Sequence, residues 1–129
     1  MKKIALFLLM ISCLTLIGCS KDAEINAFLT EWEAVTNEMS QKLETGNIDE
    51  ARKAFDAKKE SLKSKWNDIK GARGFQVSQD TKTKMEESMK KNMSTLTSAV
   101  MKGSMKATDK SDGEKMKALM TEYTDIFKS

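Results

Sequence analysis

The sequence contains no proline and no histidine, and it has only six glycines and two cysteines among its 129 residues. Without proline, no helix is interrupted by a residue that lacks the backbone N–H and clashes with the preceding turn. Without histidine, the usual zinc sites, histidine-based acid–base catalysis and the commonest haem ligand are excluded. The residues that are abundant, Lys, Glu, Met, Ala and Leu, favour helices. The composition therefore predicts an all-α protein that is not an enzyme and carries no cofactor.

Both cysteines, Cys13 and Cys19, lie near the start of the chain. Residues 1–3 give a positively charged start, and residues 4–17 are apolar apart from two hydroxyl side chains. This apolar stretch is shorter than the roughly 20 residues that a membrane-spanning helix needs. A charged start followed by a short apolar stretch is typical of a secretory signal peptide, which we predict over residues 1–18.

The end of the apolar stretch reads Leu16-Ile17-Gly18-Cys19. It resembles the lipobox of bacterial lipoproteins, in which an aliphatic, a variable and a small residue precede a cysteine. The resemblance covers residues 1–19. It implies that a diacylglycerol is attached to the Cys19 sulfur, that the preceding peptide bond is cut, and that Cys19 begins the mature chain. The alternative is a buried N-terminal helix in which Cys19 is a core thiol.

The lipobox resemblance implies a location and a domain organisation. Each buried methylene of an acyl chain contributes about 0.8 kcal/mol, so two or three chains hold a protein firmly on a membrane that it does not span. The expected location is the cell envelope. In a Gram-negative source it would be the outer membrane, facing the periplasm or the surface, because Ser20 replaces the aspartate associated with inner-membrane retention. We predict a signal peptide (1–18), a lipidated tether (19–21) and a helical domain (22–129).

The charge of the predicted mature chain is close to neutral. It carries 20 Lys and Arg against 19 Asp and Glu, because residues 1–18 hold two lysines and no acid. Such a balance gives no reason to expect nucleic acid as a partner. Cleavage and lipidation would leave no cysteine for a disulfide. The expected partners are the membrane, through the lipid, and an unidentified envelope protein.

Apolar residues spaced three or four apart predict four helices. Their expected ranges are about 22–45, 47–70, 78 or 80 to 102, and 111–127. The stretch 103–110 stays open, because Met105 is placed to extend the third helix by one turn. Asn47 and Ser111 each precede a glutamate by three residues, which predicts capping boxes at both positions. Gly46 marks a tight turn, and Phe75 and Val77 are expected to fix the second connection onto the bundle. Short connections favour an up-down antiparallel four-helix bundle, with a helical hairpin and a looser C-terminal half as the fallback.

The first two predicted helices have complementary charge and apolar stripes. Acidic residues dominate 21–45 and basic residues dominate 52–73. Folding the chain at Gly46 places Phe28 opposite Trp66. The apolar stripe of the second helix is interrupted at residues 58–59, which are both lysines, and we expect their ammonium groups to reach the glutamates at 31 or 38. The alternative is that the two lysines form a polar notch where an acidic group of a partner docks.

Methionine supplies the remaining candidate site. Seven of the eight methionines of the predicted mature chain lie between residues 85 and 120, and Met85, Met89 and Met93 are spaced four apart on one helix. Three interpretations stay open: adaptable core filler, thioether ligands for Cu(I), and a groove for varied apolar partners. We therefore predict a non-enzymatic, membrane-anchored envelope lipoprotein that acts as a binding or structural module. The alternative is a periplasmic carrier of a ligand or of Cu(I).

Overall fold

The computed structural model describes residues 20–107 and 109–128 of this chain. The predicted signal peptide and the lipobox Leu16-Ile17-Gly18-Cys19, including the lipidation site, lie outside the described residues. The described part forms four α-helices: α1 (Asp22–Glu44), α2 (Ile48–Ile69), α3 (Gln79–Lys106) and α4 (Lys110–Asp125), with short 3-10 helices at Gly74–Gln76 and Ile126–Lys128. The helices pack on one another, which confirms the predicted all-α bundle. Within these residues, no helix has the length and apolar character to cross a membrane.

The connection between α1 and α2 is the tight turn predicted at Gly46. This glycine has a φ of 82°, a left-handed conformation that side chains disfavour. Its N–H donates to the carbonyl of Leu43 at 3.0 Å, and the N–H of Asn47 donates to the carbonyl of Lys42 at 2.9 Å. The predicted capping box at Asn47 is wrong. Its side chain makes no cap hydrogen bond and donates to the hydroxyl of Thr45 at 3.3 Å.

Helix α3 begins as predicted and includes the extra turn at Met105 that the sequence left open. The hydroxyl of Ser78 caps it by accepting the N–H of Thr81 at 3.2 Å. At the other end the helix continues through Gly103 to Lys106. Gly103 is buried where α3 meets α1, and a Cβ atom added to it would lie 2.6 Å from the carbonyl oxygen of Leu43. This glycine therefore serves close helix packing and does not end the helix.

Helix α4 begins at Lys110, earlier than predicted. Asp109 caps it by accepting the N–H of Ser111 at 3.1 Å, so Ser111 lies inside the first turn and the predicted capping box at Ser111 is wrong. The helix has 16 residues against 28 in α3, and the 3-10 helix Ile126–Lys128 follows it directly. The shorter α4 covers only part of the length of α3.

The chain alternates in direction, but α3 lies beside α1 and runs parallel to it. The ion pairs that join α1 to α3, Glu33 with Lys91 and Glu44 with Lys102, have the same sequence separation of 58 residues, as parallel helices require. Helix α1 therefore packs along both α2 and α3, while α4 packs against α2. The second connection crosses the end of the bundle from α2 to the side of α1.

The core draws on all four helices, so the fallback hairpin does not describe this chain. Its fully buried large side chains include Phe28, Val35, Met39, Leu43, Phe55, Leu62, Leu96, Leu119 and Tyr123. The Tyr123 hydroxyl makes a 2.6 Å hydrogen bond with the hydroxyl of Thr36, which itself donates to the carbonyl of Trp32 at 2.7 Å. Burial raises the pKa of Tyr123 to about 12. This hydrogen bond joins α4 to α1 through the centre of the bundle.

The surroundings of Lys58 and Lys59 differ in part from those predicted. The ammonium group of Lys59 lies 3.3 Å from a carboxylate oxygen of Glu122 on α4, and Lys58 is exposed. On α1, Glu31 forms an ion pair with Lys65. The expected pairing with α1 is wrong for Lys59, because α4 covers this side of α2 and brings its own carboxylate there. Burial of Glu31 is opposed by hydrogen bonds from Lys65 and Ser61 and by the charges of Lys65 and Lys58, which together lower its pKa, so Lys58 does lie near a predicted carboxylate.

Candidate functional site

An apolar groove lies between α3 and the C-terminal part of α4. Two adjoining cavities of about 340 and 240 Å³ share Trp32, Met89 and Phe127, so they form one continuous depression. The other lining residues are Phe28, Leu29, Trp66, Lys82, Met85, Glu86, Met93, Tyr123 and Thr124. We call this depression the methionine groove. Its size is within the range of pockets that hold small ligands, roughly 300–1,000 Å³.

The floor of the methionine groove is a cluster of aromatic rings. Phe127 stands edge-on to two indoles, with ring centroids 5.0 Å from Trp66 and 5.1 Å from Trp32. Phe28 completes the cluster with its centroid 5.7 Å from that of Trp66, which confirms their predicted pairing. Edge-to-face contacts of this kind add about 0.5–1.5 kcal/mol per pair beyond area burial. The floor is therefore a firmly packed surface.

One wall of the groove consists of the three predicted methionines on α3. Met85 packs partly buried against the core, whereas Met89 is 58% exposed and Met93 is 39% exposed. A step of four residues turns about 40° around an α-helix, so the three side chains do not all face the core. Core filling accounts for Met85 but leaves Met89 and Met93 as groove surface. Met101 and Met105, at 64% and 80% exposed, are not among the lining residues.

The groove offers few polar groups. Lys82 and Glu86 lie on the α3 side, and the hydroxyl of Thr124 donates to the carbonyl of Thr121 at 2.9 Å. The indole N–H of Trp66 is buried and has no hydrogen-bond partner among the described residues. In the described part of the chain, no group of three or more His, Cys, Asp or Glu is placed to hold a metal. The groove is therefore suited to non-covalent binding of an apolar group.

Sequence reasoning did not single out Trp66 and Phe127 as site residues. Both belong to apolar stripes that predict a closed core. The stripes give no sign that α4 packs on α2 and leaves one side of α3 uncovered. A weak signal is present in the predicted ranges, because a helix over 111–127 is shorter than one over 80–102.

No protein-family model, curated protein or solved structure significantly matches this chain. The features of this chain that bear on function are therefore the methionine groove and the sequence motif Leu16-Ile17-Gly18-Cys19. Cys19 itself lies outside the described residues. The first described residue, Ser20, follows it directly in the sequence.

Proposed function

We propose that this chain is a lipid-anchored protein of the cell envelope that has no catalytic activity and holds an apolar group of another envelope component in the methionine groove. The observation that carries the binding role is an open groove with thioethers on one wall and aromatic rings on its floor. Methionine is unbranched and polarisable, so such a wall adapts to ligands of different shape. In a Gram-negative source the anchor is expected in the outer membrane.

Two features support the anchored form. The lipobox resemblance at Leu16-Ile17-Gly18-Cys19 supplies the site of lipidation. Within the described residues, the buried apolar core is formed by side chains between Ile25 and Ile126, and the predicted mature chain keeps all of them. A chain that starts at residue 19 or 20 is therefore expected to fold, and far-ultraviolet circular dichroism dominated by helix checks this.

The anchor is tested with the variant Cys19→Ser. We expect this variant to incorporate no radiolabelled palmitate and to keep its signal segment, because the acceptor sulfur is absent. The matched control is Cys13→Ser, which removes the other cysteine and should label like the wild type. Equal labelling of the Cys19→Ser and wild-type proteins would refute the anchor.

The groove is tested with an apolar fluorophore, N-phenylnaphthylamine, added to residues 20–129. Its fluorescence should rise on binding, and Met89→Glu should abolish the rise because a carboxylate in the wall opposes an apolar ligand. Met101→Glu is the matched control, since Met101 is as exposed on the same helix but does not line the groove. Equal loss of fluorescence in both variants would contradict a binding role for the groove.

A Cu(I) carrier is the second candidate function, favoured by the three methionines, Met85, Met89 and Met93, along one wall. Thioether sulfur is a soft ligand that selects Cu(I). Titration with Cu(I) against a competing chelator tests it on wild type and Met89→Leu. Leucine keeps the wall apolar but removes one sulfur, so a copper site would weaken while fluorophore binding persisted. Absence of Cu(I) binding in the wild type would reject the carrier.

A further inference from the structure

Phe75 is the most exposed large apolar side chain of the described residues, with 82% of its surface accessible. It lies on the 3-10 helix Gly74–Gln76, in the connection between α2 and α3. The sequence predicted that Phe75 and Val77 would both fix this connection onto the bundle. Val77 does pack against the core, but the prediction is wrong for Phe75, which points away from it. Single exposed apolar residues are common on protein surfaces, so the position of Phe75 must carry the argument.

The connection that holds Phe75 is bound to the start of α1. The N–H of Lys21 donates to the carbonyl of Gln76 at 2.8 Å, and the N–H of Ser78 donates to a carboxylate oxygen of Asp22 at 2.9 Å. The hydrogen bonds from Ser78 lower the pKa of Asp22, so the carboxylate stays ionised and keeps this contact at neutral pH. Phe75 and the start of α1 therefore share one end of the bundle.

This end of the bundle is the end next to the proposed lipid anchor. Lys21 is two residues from Cys19 in the sequence. At about 3.3–3.6 Å per residue, two residues span at most about 7 Å. A lipid on Cys19 would therefore hold the bundle with this end directly against the bilayer, without a long flexible linker.

The segment that carries Phe75 is positively charged, whereas the start of α1 at the same end holds the ion pair of Lys21 with Glu24 and the carboxylate of Asp22. Residues 70–84 contain four basic residues, Lys70, Arg73, Lys82 and Lys84, and one acid, Asp80. Arg73 and Lys82 are exposed, and the ammonium group of Lys82 lies 3.9 Å from the position that a Cβ of Gly74 would occupy. Basic side chains around an apolar one are the combination that binds an anionic bilayer surface.

We propose that this end of the bundle is a bilayer-docking surface, formed by Phe75, Arg73 and Lys82. Phe75 enters the headgroup region of the membrane that holds the anchor, and Arg73 and Lys82 meet its lipid phosphates. The proposal builds on the anchor at Cys19 proposed above. Docking also places the methionine groove close to the membrane, because Lys82 and Met85 lie in the first two turns of α3.

The test uses residues 19–129, in which Cys19 is the only cysteine. Coupling to a maleimide-bearing lipid attaches Cys19 to vesicles of phosphatidylcholine and phosphatidylglycerol, and flotation confirms attachment. This chemical anchor replaces lipidation in the cell. A failure of docking is therefore distinguishable from a failure of the lipoprotein proposal, which the palmitate experiment measures.

Docking is read from quenching of tryptophan emission by brominated lipids in three coupled proteins. The wild type gives the baseline quenching of Trp32 and Trp66. The variant Phe75→Trp is the test, and Met105→Trp is the matched control. Met105 is 80% exposed and lies at the opposite end of α3. We expect quenching above the baseline for Phe75→Trp alone, reduced when Arg73→Gln and Lys82→Gln are added. Equal quenching at positions 75 and 105, or none at 75 with flotation complete, would overturn the proposal.

Discussion

Replacing Gly103 with alanine tests the close approach of α3 to α1. The added Cβ would lie 2.6 Å from the carbonyl oxygen of Leu43, 3.4 Å from its carbonyl carbon and 3.7 Å from the sulfur of Met116. The sulfur is at an ordinary contact distance. The carbonyl oxygen is too close, and it belongs to the backbone of α1, so it moves only if the helices separate. We therefore expect Gly103→Ala to be destabilising even though alanine is the better helix former.

The magnitude follows from two opposing effects. In a helix interior, replacing glycine with alanine ordinarily stabilises by about 0.5–1 kcal/mol, because the unfolded chain is less free. Forcing an extra methyl group into a packed interface costs about 1–3 kcal/mol. Gly113 in α4 isolates the first effect, since a Cβ added there meets nothing within 4 Å. Gly103→Ala should therefore be about 1–3 kcal/mol less stable than Gly113→Ala.

The assay is urea unfolding of residues 20–129, followed by far-ultraviolet circular dichroism. The dependence of the unfolding free energy on urea should be the same in both variants, so that the difference in midpoint reports stability alone. Gly113→Ala should unfold at higher urea than the wild type and Gly103→Ala at lower. If Gly103→Ala is stabilised as much as Gly113→Ala, the helices are not in close contact there and the reasoning fails.

Three further variants test the core and its electrostatics. Phe55→Ala removes a fully buried ring and should lower the free energy of unfolding, measured in urea, by about 3–5 kcal/mol. A small effect would contradict the place of this ring in the core. Tyr123→Phe removes the hydrogen bond to Thr36 and should cost about 0.5–1.5 kcal/mol, and an unchanged midpoint would show that this bond adds no net stability. Hydrogen bonds from Arg52, and secondarily from Lys59, outweigh burial and lower the pKa of Glu122 below its ordinary 4.5. Glu122 therefore contributes fully to the free energy of unfolding above pH 4.5, and this contribution is lost as the pH falls through its lowered pKa. The difference in unfolding free energy between the wild type and Glu122→Gln should shrink in unfolding experiments at acid pH.

The first half of the fold could be predicted from the sequence because its signals are local. The apolar stripe of α1 and the glycine at position 46 predict a hairpin, and the hairpin determines which residues face each other. The pairing of Phe28 with Trp66 follows directly from that geometry. The same stripes also indicated four helices, since helical periodicity does not depend on how the helices are arranged.

The arrangement of the second half could not be predicted because it depends on contacts that are distant in sequence. A glycine at position 103 is compatible both with a helix end and with the close approach of a neighbouring backbone. Only the contact with Leu43 in the folded chain distinguishes the two roles. The partner of Lys59 likewise depends on where α4 packs. Phe127 becomes the floor of a groove because α4 is short and packs on α2.

The parallel placement of α3 on α1 bears on how fast the chain folds. Its ion pairs join residues 58 apart, and the bond between Thr36 and Tyr123 joins residues 87 apart. A bundle in which each helix packs on its sequence neighbour would rely on much shorter separations. Folding rates fall as the mean sequence separation of contacts rises, because chain entropy is lost before distant contacts form. We expect the α1–α2 hairpin to assemble early and the docking of α3 and α4 to limit the rate.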